Sequence, residues 1–171
     1  MSIKDNYDGD VFKESLERLR NHPLMILALT DTSYSEVEKA NNKEKTPNNF
    51  KLATYGDAVL KLAYCEILFG KDDITELKKS YECDKNLVTV IGAHYNILDR
   101  IKLNTEDSNM PTDYSWNPNK KNHDKIHKHI ATCVEAIIGA IYQIDKDMDE
   151  IIEIARYWKE LIDNSISEST N

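Results

Sequence analysis

Apolar and polar residues along this chain keep a helical period, and the strict alternation that marks a strand is nearly absent. VFKESLERLR (11–20) reads as a first amphipathic helix that stops near Asn21, His22 and Pro23. A short apolar segment, LMILALT (24–30), precedes SYSEVEKA (33–40), and NNKEKTPNN (41–49) reads as a polar loop. The long apolar helix KLATYGDAVLKLAYCEILF (51–69) ends at Gly70 in a C-cap position. ITELKKSYE (74–82) and KNLVTVIGAHYNIL (85–98) read as two more helices. Residues 104–122 form the longest irregular segment, and Tyr114 and Trp116 within it could stack on a ligand or anchor the loop. A second strongly apolar helix runs through IATCVEAIIGAIYQI (130–144) to about Asp145, and MDEIIEIARYWKELI (148–162) closes the fold. With only 5 glycines in 171 residues, the expected fold class is all-α. One domain is expected over residues 1–163, followed by a solvated C-terminal tail over 164–171.

The two most apolar stretches each carry one carboxylate. Asp57 and Glu135 are flanked on both sides by residues that read as core, with Gly56 directly before the first and Gly139 four after the second. Acids are almost never fully buried unless paired, and an unpaired one costs several kcal/mol or stays protonated. Two such acids on two oily helices point to a shared cation. The competing reading is a buried salt bridge, for example to Lys51, Lys61 or Lys128.

Composition narrows the class. Hydrophobic residues at 40% and charged residues at 30% describe a soluble globular chain. No apolar run reaches the roughly 18 to 20 residues that span a bilayer, and the polar N-terminus does not resemble a signal peptide. An intracellular protein without a membrane partner is therefore expected. An odd count of three cysteines with no CxxC reads as reduced core thiols. The net charge of −8 argues against a simple nucleic-acid binder. Local charge differs: KKNHDKIHKH (120–129) is strongly basic and leads straight into the Glu135 helix. Its histidines could in principle bind zinc, but no cysteine or acid at suitable spacing completes a set, so an exposed, ligand-facing or solvated patch is expected.

Three separated motifs carry a resemblance. ALTDTSY (28–34), KLATYGDAVL (51–60) and VEAIIGAIY (134–142) resemble, in order and spacing, the motifs of the ribonuclease III endonuclease domain, over roughly residues 12–163. The resemblance implies an all-α domain that dimerises through the signature helix and cuts double-stranded RNA with magnesium. It also exposes a departure. The family's usual four acids lie two on the signature helix, four residues apart, and two on the later helix, three apart; here Ala53 and Thr132 stand at the partner positions of Asp57 and Glu135. The minimal bacterial branch of the family, Mini-III, is similarly reduced at both places.

Taken together, these features lead to an expected magnesium-dependent endoribonuclease, with manganese as a substitute, that acts on double-stranded RNA as a homodimer and leaves short 3′ overhangs. Asp57 and Glu135 would ligate the metal, since magnesium keeps several waters and needs only one or two protein carboxylates. Lys128, one turn before Thr132, matches a family lysine and would support the phosphate or the acids. Lys120, Lys121 and Lys125, with Lys128, would contact the RNA backbone, and Leu52, Thr54, Tyr55 and Val59 would line the dimer interface. No room is left for a double-stranded-RNA-binding domain, so affinity would be modest and salt-sensitive, or a separate RNA-binding partner protein would supply it. Two other classes stay open: a catalytically inactive relative that binds structured RNA or a ribonucleoprotein, and a helical protein-interaction module.

Overall fold

A computed structural model describes residues 9–42, 46–117 and 123–168 of the chain. The regular structure of the described residues is helical, apart from one isolated bridge between Thr30 and Lys102, and a long loop runs from 103 to 117. The helices are α1 (Val11–Arg18), α2 (Pro23–Ala28), α3 (Thr32–Asn42), α4 (Phe50–Leu68), α5 (Ile74–Glu82), α6 (Asp84–Asn86), α7 (His123–Asp145) and α8 (Met148–Glu168). Local chemistry sets their ends. The Asp10 carboxylate accepts from the Lys13 N–H at 3.1 Å and starts α1. Pro23 opens α2, and Gly70, at φ +94, lets the chain leave α4. α6 runs on without a break into a π-helical stretch, Leu87–Gly92, where four β-branched residues in a row crowd ordinary α geometry.

α7 is the central helix. From Ile130 to Ile141 it is apolar almost all round, and a helix of that kind is stable only when other elements surround it. α4 covers it most extensively, with the π stretch and α2 packed on other sides, and α8 adds Trp158, Ile154 and Ile162 to the same core. Two glycines set the distance between α4 and α7. A Cβ on Gly56 would lie 1.8 Å from the Glu135 carbonyl oxygen, and one on Gly139 would lie 2.2 Å from that of Leu52. Backbone therefore meets backbone at this crossing, and only glycine permits it.

Two expectations change here. Residues 164–168, read as tail, continue α8, with the Ser165 and Ser167 hydroxyls donating to the carbonyls of Ile162 and Asp163 one turn back. The three cysteines are free thiols, but only Cys133 is buried; Cys65 and Cys83 are partly exposed, because they fall at helix edges rather than on core-facing positions. No helix among the described residues is long and apolar enough to cross a membrane.

Candidate active site

The glycine crossing aims Asp57 and Glu135 into one open cleft of about 560 Å³. α4 forms one wall with Ala53, Asp57 and Lys61; α7 supplies Lys128, Thr132 and Glu135; the end of α5 and start of α6 close the third side. The sequence reading thus named two acids that the fold does bring together, but it treated them as alike, and they are not. Asp57 sits at the rim with its side chain 36% exposed, and its Oδ2 accepts from Lys61 Nζ at 2.7 Å, one turn along the same helix. It is neither buried nor alone, because helical periodicity turns it away from the inward stripe of Leu52, Gly56, Val59, Leu60 and Ala63. Asp57 does pair with Lys61, but at the open rim and not as a buried salt bridge.

Glu135 is the perturbed one. Burial, then the charge of Asp57, then that of Asp84, push its carboxyl from an ordinary 4.5 up to about 8, while the attraction of Lys128 and Lys61 is too weak to offset them. Such a group keeps its proton until a cation arrives. The donor set fits a hard divalent ion: carboxylate oxygens from two crossing helices face a wet cleft, and their mutual repulsion is what a doubly charged ion relieves. Among the described residues, no three His, Cys, Asp or Glu side chains converge into a cage. Asp57 and Glu135 are the residues that could hold such an ion.

Lys128 lines the same cleft, 65% exposed, with its Nζ 3.8 Å from Asp84 Oδ2. Asp84 and Glu82 are the cleft acids that sequence reasoning missed. The gap between the two predicted helices at 83–84 was visible, but nothing local shows that the gap faces α7. Glu82 is occupied by Lys78, whose Nζ lies 2.9 Å from both of its carboxylate oxygens.

The basic segment behaves differently from the expectation. Lys120 and Lys121 lie outside the described residues, as does the side chain of His123. Lys125 is exposed but borders a separate depression with Met110 and His129, not the cleft. His127 and His129 are not a solvated patch. His127 is 4% exposed and meets Asp113 at 3.2 Å, while His129 contacts both oxygens of buried Asp31 at 3.0 Å. Each histidine faces an acid brought from a distant segment, which is why neither stays in solvent. Tyr114 anchors its loop by accepting the Leu98 N–H at 2.9 Å.

Two of the four expected interface residues are buried within the single chain. Leu52 and Val59 are 7% and 8% exposed, already spent on the chain's own core against α7. Thr54 faces the cleft, and Tyr55 is exposed beside Tyr142, with ring centroids 6.0 Å apart. The outward apolar stripe of α4 is instead Tyr55, Ala58 and Leu62, extended by Phe69 beyond the helix end.

Residues 51–146, which contain both acids, the two glycines and Lys128, match the family model for the Ribonuclease III domain. The chain belongs to the ribonuclease III family. Curated relatives in the family include Ribonuclease 3 of Natranaerobius thermophilus, 28% identical over 89% of this chain and 63% of that protein. Ribonuclease 3 of Bacillus velezensis is 28% identical over 86% of this chain and 57% of that protein. The chain thus spans about three fifths of the length of the ribonuclease III relatives it matches. Two solved structures of the ribonuclease III nuclease domain from Campylobacter jejuni share the fold. One, described as flexible in a region involved in dimer formation, has a TM-score of 0.64 at 25% identity, over 88% of this chain and 94% of that one. The other has a TM-score of 0.63 at 26% identity, over 91% and 95%.

Proposed function

We propose that this chain is an endoribonuclease that hydrolyses double-stranded RNA with magnesium, or manganese in its place. The observation that carries the reading is the pairing of Asp57 with a strongly perturbed Glu135 across a glycine-to-glycine helix crossing, inside the segment that matches the family. When bound, magnesium supplies an activated water and neutralises charge on the phosphate. Asp57 and a deprotonated Glu135 would hold that ion, with Lys61 beside Asp57 on the same helix. Lys61 and Lys128, at opposite sides of the cleft, are then free to meet phosphate oxygens. Lys120, Lys121 and Lys125 remain proposed backbone contacts to RNA recognised by its A-form shape.

The working unit is a homodimer joined through Tyr55, Ala58 and Leu62, a face of α4 that a single copy leaves in water. Two sites in such a dimer would cut both strands and leave short 3′ overhangs. The net charge of −8 makes weak, salt-sensitive binding the expected state of the chain by itself, with a separate RNA-binding partner raising affinity.

Long duplex RNA incubated with magnesium should be cut by the wild type and left intact by Asp57→Asn and Glu135→Gln. Gel filtration should give a dimer mass that Leu62→Lys lowers to that of one chain. Binding of duplex RNA without cleavage, under any divalent ion, would favour an inactive RNA-binding relative. The loss of acids at Ala53 and Thr132 is the feature that would explain such a result.

A further inference from the structure

The two signature helices supply two carboxylates, yet four acids line the cleft. α5 stops at Glu82, Cys83 is extended (φ −70, ψ 144), and the chain restarts as helix at Asp84. This kink places Asp84 on the wall that faces α7, lining the cleft that also holds Asp57 and Glu135. Its ion-pair partner among the described residues is Lys128, at 3.8 Å, with the two side chains 36% and 65% exposed. A pair that long and that wet holds little of the charge. Glu82 on the same wall is held closely by Lys78. The positions where a third and fourth acid could have stood are Ala53 and Thr132, both in the lining of the same cleft.

We infer that Asp84 is a positioning residue of the cation site, the third negative charge of the cleft, which acts on a divalent ion through its water shell and compensates for the acids absent at 53 and 132. It rests on the proposed magnesium reading and adds a residue to it. The geometry suits an outer role: no third acid closes on Asp57 and Glu135 as a direct ligand among the described residues. Asp84 is also felt at the site, since its charge is among those that raise Glu135. A rival role exists, because a carboxylate in the first turn of the helix that begins at 84 would stabilise the helix dipole. That role changes thermal stability and leaves ion affinity alone.

The test is calorimetric titration of the full chain with manganese and magnesium, without RNA, alongside melting curves. Losing one of three charges around a doubly charged ion should weaken binding roughly tenfold at low salt in Asp84→Asn, with the loss shrinking as salt rises. Asp84→Ser, which keeps a polar helix start without the charge, should lose as much. Asp84→Glu should bind within about twofold of wild type, as should Glu160→Gln, a charge lost on α8 outside the cleft. Unchanged affinity in both Asp84→Asn and Asp84→Ser, whatever their melting temperatures, would overturn the inference while leaving the magnesium reading standing. A wild type that binds neither ion would remove that reading, and this inference with it.

Discussion

Glu135 is where stability and function pull in opposite directions, and replacing it makes the conflict measurable. The unfolded chain releases the Glu135 proton near its ordinary 4.5, whereas burial and the facing Asp57 and Asp84 hold it in the folded state up to about 8. Between those values the folded protein binds one proton more than the unfolded one, so stability falls as pH rises. At 1.36 kcal/mol per pH unit the whole interval is worth at most about 5 kcal/mol; water in the open cleft screens the charge, and about 2 kcal/mol is a fair working figure. Glu135→Gln keeps the shape and removes the titration. In EDTA it should match wild type near pH 5 and exceed it by about 2 kcal/mol near pH 9, or roughly 4–8 °C in Tm for a chain of this size. Magnesium should then reverse the order at high pH, because only the wild type gains by binding it. Urea and thermal unfolding at both ends of the pH range, with and without magnesium, measure all four corners. A variant no more stable than wild type near pH 9, or a gap that does not widen with pH, would refute the assignment of Glu135 as the strained acid.

Three further outcomes follow from the glycines and from one buried pair. Gly56→Ala would drive a Cβ to 1.8 Å from the Glu135 carbonyl oxygen, and since backbone cannot rotate aside, α4 and α7 must separate at a cost of about 3 kcal/mol or more by urea unfolding. Gly70→Ala, with nothing within 4 Å but a φ of +94, should cost only about 1 kcal/mol. For the Asp31–His129 pair, burial pushes Asp31 up, but the bonds from His129 and Ser33 outweigh it and hold it below 3.8; the bond to Asp31 raises His129 above 6.5. His129 therefore contributes stability that is complete below pH 6.5 and lost as pH rises through its raised value, and Asp31 contributes stability present above 3.8 and lost as pH falls through its lowered one. The stability difference between wild type and His129→Gln should peak between those limits at about 2 kcal/mol and shrink toward pH 9; a difference that grows with pH would contradict the pairing.

What was legible in the sequence was whatever helical periodicity or a local motif encodes. α5 occupies Ile74–Glu82, the segment its apolar spacing predicts, and the all-α class follows from the same signal. The two acids stood out because each interrupts an apolar run. Their difference was not legible: both have apolar neighbours in sequence, and only the angle each takes around its own helix separates rim Asp57 from half-buried Glu135. Two of the expected interface residues, Leu52 and Val59, were misplaced for a related reason. Leu52 and Val59 are buried against α7, while Tyr55, in the same motif, is exposed. At 3.6 residues per turn Tyr55 stands only about 40–60° round the helix from them, so periodicity leaves it at the margin of the buried stripe. The elements packed on α4 decide which side of that margin it takes.

The residues around Lys128 were illegible for a different reason, and they bear on how this protein meets RNA. Three consecutive cationic or titratable side chains at the start of α7 each face an acid from a different part of the fold. His127 meets Asp113 of the long loop, Lys128 meets Asp84 at the α5–α6 kink, and His129 meets Asp31 between α2 and α3. Those acids lie 14, 44 and 98 positions away in sequence, so no local pattern announces them. What reads as a basic patch is, at these three positions, a set of tethers. The tethers differ in strength by burial: the buried His127 and the Asp31 pair belong to the fold, while the exposed, 3.8 Å contact of Lys128 is the one a phosphate can displace cheaply. Of the three, Lys128 is also the one that lines the cleft beside Glu135. The start of α7 thus separates its charges by task, with the histidines fixing the helix and the lysine between them left able to change partners.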